Sequence, residues 1–158
     1  MFTMDDLLEI AIKMEKNAEN VYKKSADKFD DQQLKTTLEW MADEEAVHAG
    51  WFKEFKNKIT LKPDEADLKQ MVPKVLQDMM GEKTLSLEDI DFSTMTTVSD
   101  LFQTFIGFEQ DTIAFYELLE MFIQDEPVLK GLQKIIQEEK NHIKTLESRK
   151  AFFSNKLT

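Results

Sequence analysis

The sequence predicts an all-α fold: an antiparallel four-helix bundle with one long crossover between its second and third helices. Three observations predict it. Only four glycines and three prolines occur in 158 residues, and the stretches 1–62 and 74–126 contain no proline at all, so little interrupts a helix. Four long stretches carry apolar residues at the i, i+3, i+4, i+7 spacing of an amphipathic helix. The connections between them run short, long, short, the pattern of a bundle with one crossover.

Helix A covers residues 4–29, with Leu8, Ala11, Ile12, Ala18, Val21 and Tyr22 on its apolar face. Phe29-Asp30-Asp31 breaks the pattern, and helix B resumes it over 32–57 with Leu38, Met41, Ala42, Ala49 and Phe52. The two form an antiparallel hairpin. Residues 58–98 hold Pro63, Pro73 and Gly81, with one short amphipathic piece at 67–80, and read as the crossover. Helix C spans 99–123, with Ser99 as its expected N-cap and Asp100 in its first turn. Gln124-Asp125-Glu126-Pro127 makes a turn, and helix D runs from residue 127 to about 153. The expected organisation is a single domain, 1–158, of hairpin 4–57, crossover 58–98 and hairpin 99–153.

Composition narrows the function. Twenty basic against 31 acidic residues give a formal charge of −11, which repels nucleic acid and anionic membranes but attracts metal cations. No run free of charged residues exceeds eight, too short for a membrane span of about 20. Asp5 and Asp6 stand where an export signal would be basic, so a cytoplasmic protein is expected. With no cysteine, thiolate chemistry is excluded and a metal would bind oxygen and imidazole.

The two hairpins repeat. At a fixed offset of 94, residues 5–56 match 99–150 at Asp6/Asp100, Leu7/Leu101, Ile12/Ile106, Asp31/Asp125, Leu38/Leu132 and Lys56/Lys150. The chemically informative matches are Glu15/Glu109, Tyr22/Tyr116, Glu44/Glu138, Glu45/Glu139 and His48/His142. Each copy thus carries a Glu, a Tyr seven residues on, and a Glu-x-x-His whose Glu lies 30 residues after the first. In an antiparallel hairpin, residues equidistant from the turn share a level. The midpoints of Glu15/Glu45 and of Glu109/Glu139 are residues 30 and 124, both in expected turns, which places each pair about 22 Å from its turn. Neighbours three, four and seven residues away on all four helices are mostly apolar, so these Glu and His interrupt core seams. Four buried carboxylates demand protonation or cations, and two divalent ions would match their charge of −4.

Around these residues the chain resembles the ferritin-like di-iron carboxylate proteins, most closely their rubrerythrin-type branch. The resemblance implies Glu15 and Glu109 as single ligands from helices A and C, and Glu45/His48 and Glu139/His142 as Glu-x-x-His pairs, with Glu45 and Glu139 bridging and each histidine capping one ion. It implies two iron ions, Fe²⁺ or Fe³⁺, with an oxo or hydroxo bridge; such a site also accepts manganese or zinc. No catalytic residue beyond the ligands is implied. Two departures stand out. Rubrerythrins have an extra Glu where this chain has Thr112, and a rubredoxin domain with four cysteines, which this chain lacks. The implied activity is therefore reduction of hydrogen peroxide or O₂ with an external electron-donor protein. A ferroxidase that binds and oxidises Fe²⁺ for iron handling, and a structural bundle with a vestigial site, are the alternatives.

Other residues carry paired readings. Tyr22 and Tyr116 either hydrogen-bond the ligand carboxylates without touching a metal, or pass electrons, or are satisfied core tyrosines. Glu44 and Glu138, about 100° round the helix from the ligands, belong to a solvated face. Glu19 either hydrogen-bonds a ligand or is an alternative ligand, or it is a surface partner of Lys23. Phe102, Phe105, Phe108, Phe115 and Phe122 spread around helix C, which suggests core packing together with contact to the crossover or a homodimer partner. Gly107 and Gly131 inside helices suggest close helix approach.

Overall fold

The computed structural model describes residues 4–58 and 97–154. Four helices account for nearly all of them: α1 (Met4–Ala26), α2 (Gln32–Lys58), α3 (Val98–Glu120) and α4 (Glu126–Ser154), with no strand among the described residues. The predicted crossover and its amphipathic piece at 67–80 lie outside the described residues.

Three of the four helices, α2, α3 and α4, start where a side chain satisfies free amides. Asp31 Oδ1 accepts from the Gln33 and Leu34 amides at 2.9 and 3.0 Å, and its carbonyl accepts from Lys35 at 3.0 Å. Asp125, its counterpart in the repeat, accepts from the Val128 amide at 3.1 Å, and its carbonyl from Leu129 at 2.9 Å. The Asp31/Asp125 match is thus a pair of N-caps. For α3 the expected cap is corrected. Thr97, extended at φ −123°, ψ 150°, caps the helix by accepting from the Asp100 amide, and Ser99, two residues further on, already lies within the first turn.

Two ends also fall short of the expectation. α1 stops at Ala26, where Lys28 and Phe29 donate to Ser25 and Ala26 and tighten the chain into a turn before Phe29. α3 stops at Glu120, because Met121, Phe122 and Ile123 each bond three residues back.

The described residues fall into two units, one per hairpin, with α1 packed on α2 and α3 packed on α4. In the first, Leu7, Leu8, Ala11, Ala18 and Tyr22 are buried with Leu38, Met41, Ala42 and Phe52. In the second, Phe102, Phe105, Phe115 and Tyr116 are buried with Leu132, Ile135, Ile136 and Leu146. Four of the five helix-C phenylalanines are core residues, and Phe122 is half-buried. One tether recurs in both units: Lys56 donates to Glu9, and Lys150 donates to Gln103 at 2.6 Å, with Glu9 and Gln103 also 94 residues apart.

The close-approach reading of Gly107 is overturned. A Cβ there, as at Gly50 on α2, would meet nothing within 4 Å. Both glycines therefore only weaken their helices. Gly50→Ala and Gly107→Ala should each stabilise the protein by about 0.5–1 kcal/mol. Urea unfolding of the single variants checks this, and unchanged midpoints would refute it.

Candidate metal centre

In the first hairpin, Glu15 projects from the core face of α1 between Ala11 and Ala18, and Glu45 and His48 project from α2 between Ala42 and Ala49. All three polar side chains are buried, at 1%, 0% and 1% exposure. One ligand atom from each lies within 4.8 Å of the others, with His48 Nδ1 3.7 Å from Glu15 Oε2 and 3.9 Å from Glu45 Oε1.

The second hairpin repeats this arrangement. Glu109 on α3 and Glu139 and His142 on α4 are all completely buried. Their ligand atoms also lie within 4.8 Å of one another, with His142 Nδ1 3.6 Å from Glu109 Oε1 and 3.0 Å from Glu139 Oε2. The six residues singled out by sequence thus form two buried Glu–Glu–His clusters, one in each hairpin.

These groups suit a metal ion. Four buried carboxylates, of Glu15, Glu45, Glu109 and Glu139, are gathered with the imidazoles of His48 and His142, and every one of these residues has interactions within the fold. Buried polar atoms are normally hydrogen-bonded, and buried charge needs a counter-charge. A divalent cation meets both demands, and carboxylate oxygen with imidazole nitrogen is a donor set that first-row metals accept.

Tyr22 and Tyr116 are fully buried, each two turns along its helix from Glu15 or Glu109. Glu44 and Glu138 are half-exposed, and Glu138 lies 3.9 Å from Lys134, as a solvated face requires. Glu19 is resolved as the surface partner of Lys23, at 2.6 Å, because it stands one position round the helix from the core residue Ala18. That geometry removes it from the ligand candidates. Thr112, where rubrerythrins hold the extra Glu, is buried and donates to the Phe108 carbonyl at 2.9 Å.

One asymmetry escaped the sequence reading, though the repeat displays it. Ala11, Ala18, Ala42 and Ala49 around the first cluster are replaced in the second by Phe105, Thr112, Ile136 and Ile143. The first cluster is ringed by methyl groups, the second by bulky side chains.

Charge on His142 is opposed by burial, yet Glu109 and Glu139 outweigh that and raise its pKa from 6.5 to about 11. A pKa raised by folding adds stability that is complete below about 6.5 and is lost as the pH climbs towards 11. Metal-depleted protein should therefore lose unfolding free energy across that window, and His142→Gln should flatten the decline. Urea unfolding at several pH values measures both, and equal slopes would contradict the assignment. Because a ligating imidazole is neutral, metal uptake near neutral pH should also release a proton.

No helix among the described residues is long and apolar enough to cross a membrane. A search of the curated proteins finds no match. Among solved structures, a protein from Thermotoga maritima described as a ferritin-like diiron-carboxylate protein is 22% identical, covers 95% of each chain and superposes with a TM-score of 0.68. A hypothetical protein from Pyrococcus furiosus, also 22% identical, covers 99% of this chain and 94% of its own with a TM-score of 0.74. These likenesses establish the ferritin-like four-helix fold. The Rubrerythrin family model matches residues 6–150, spanning both hairpins and both Glu–Glu–His clusters, and the chain belongs to the rubrerythrin family.

Proposed function

We propose that the protein is a di-iron oxidoreductase that reduces hydrogen peroxide with electrons from an external donor protein. The observation that carries this reading is the pair of equivalent clusters, each gathering two buried carboxylates and an imidazole whose ligand atoms lie within 4.8 Å of one another. Glu15, Glu45 and His48 would hold one ion, and Glu109, Glu139 and His142 a second. A pair of iron ions supplies two electrons, the number needed to turn H₂O₂ and two protons into two waters.

The protein's own part is to bind, neutralise and exclude. Two carboxylates in each cluster offset the charge of a divalent ion, and the imidazole completes a mixed oxygen and nitrogen set. His142 has to give up its proton before it ligates, so the second cluster couples ion uptake to proton release. Burial of every donor keeps bulk water from competing for the ions. Tyr22 and Tyr116, each a buried hydroxyl two turns from a ligand, are the candidates for orienting a carboxylate or passing an electron. The acidic, cysteine-free chain fits a reducing cytoplasmic setting.

Thr112 favours a second reading. Without the extra rubrerythrin Glu at that position, the ligand set is the symmetric one shared with ferritins, which suits a ferroxidase that oxidises Fe²⁺ for iron handling.

Anaerobic Fe²⁺ loading followed by stopped-flow mixing with H₂O₂ and with O₂ separates the readings. Saturation near two irons per chain with faster oxidation by peroxide is expected. Faster reaction with O₂, continuing beyond two irons, would favour iron handling, and no stoichiometric binding would leave a structural bundle. Removing one imidazole, His142→Ala, should cost one of the two ions, read as metal per chain. Unaltered stoichiometry would sink that assignment. Glu45→Ala should leave the metal-depleted fold at least as stable as the parent in thermal melts, because an uncompensated buried carboxylate is removed.

A further inference from the structure

A groove of about 910 Å³ runs along the first hairpin between α1 and α2, away from the buried donors. Ammonium groups of Lys13, Lys16, Lys53 and Lys56 line it, with side-chain amides of Asn17 and Asn57. Asp6 and Glu9 are the acidic groups in its wall, so the lining carries a net charge of +2 on a chain of −11.

The repeat separates structural lysines from surplus ones. An equivalent groove of about 370 Å³ exists in the second hairpin, lined by Gln103, Ile106, Gln110, Glu147, Lys150 and Ala151. Those positions lie 94 residues beyond Glu9, Ile12, Lys16, Lys53, Lys56 and Asn57. Lys56 and Lys150 perform the same task, tethering the two helices of their hairpin through Glu9 and Gln103. Lys13, Lys16 and Lys53 have no such counterpart: Gly107, Gln110 and Glu147 occupy their places. The hairpin fold therefore does not need them.

Nor do the described residues neutralise them. Among the described residues, no carboxylate stands within ion-pair distance of these three, whereas Lys56 is held by Glu9 and Asp5. Lys53 and Lys16 face each other across the groove, and the contact and repulsion of Lys16 hold the Lys53 pKa below its ordinary value. Glu19, which partly offsets this, is itself bound to Lys23. Like charges gathered over an amide-lined, partly apolar cleft are complementary to an anion with several negative oxygens, and the volume lies within the range of small-ligand sites.

We propose that this groove binds a small multivalent oxyanion, a molecule bearing phosphate or several carboxylates, through Lys13, Lys16 and Lys53. The proposal is independent of the metal reading.

Calorimetric titration of sodium pyrophosphate into the full chain, depleted of metal so that the probe has no ion to coordinate, tests it at low ionic strength. One pyrophosphate per chain is expected. The double change Lys16→Gln, Lys53→Glu installs the residue types of the second groove, so the helical circular-dichroism signal should persist while binding weakens about tenfold or more. The same change in charge on α4, Lys130→Gln with Lys144→Glu, should leave binding unaltered. Absence of saturable binding, or equal weakening in both variants, would overturn the proposal. Tighter binding of a hexaglutamate peptide than of pyrophosphate would also overturn it, by assigning the groove to an acidic polypeptide.

Discussion

Two carboxylates and an imidazole buried together in a helical hairpin are the constraint that the rest of each unit serves. Taking such groups out of water costs several kcal/mol per charge unless partners repay it. The hairpins therefore invest elsewhere: an aspartate cap at the start of α2 and of α4, a lysine tether between paired helices, and apolar residues filling the positions between donors. These devices fix the level of each Glu against its Glu-x-x-His partner, because capping sets where the second helix begins and the tether sets how the two slide. Without that fixed register, the donors of a cluster would not fall within reach of one ion.

The two clusters are alike in donors but differ in surroundings. His142 approaches Glu139 to 3.0 Å, whereas His48 stays 3.7 Å or more from both of its carboxylates. Bulky residues crowd the second cluster, where the first has alanines. The closer carboxylates of the second set, Glu109 and Glu139, hold a proton on its imidazole. The first set is the more widely spaced of the two. The repeated hairpins thus share their donor residues and differ in the side chains three and four positions away.

Much of this was legible in the sequence because it rests on periodicity. Four helices, their order and the two turns follow from apolar spacing and from the midpoints of Glu15/Glu45 and Glu109/Glu139. The burial of all six donors follows from their place in apolar seams. Helix ends were less legible, because they depend on hydrogen bonds that propensity does not encode. Ser99 and Thr97 are both good caps by type, and only the extended backbone at Thr97 decides between them. Glu19 illustrates a different ambiguity, since the sequence left both a ligand-side and a surface reading open. A residue one turn from a ligand is close in sequence, but 100° of rotation from Ala18 carries its carboxylate out to Lys23. Gly107 shows that a helical glycine does not always mark a crowded contact, since open space lies where its side chain would be.

The internal repeat offers a control that a single fold rarely provides. A residue matched in both hairpins and carrying the same interaction is explained by the hairpin itself: Asp31 and Asp125 cap, Lys56 and Lys150 tether, and Leu38 and Leu132 fill the core. A residue present in one copy, in a groove that both copies possess, needs a cause outside the hairpin. Self-repulsion gives Lys16 and Lys53 no reason of their own to stand together. Solubility does not supply one either, since the chain is already far from neutral. Besides its larger volume, what distinguishes the first groove from the second is therefore its charge, and charge of that sign on so acidic a chain acts on what approaches from solvent rather than on what the chain packs within.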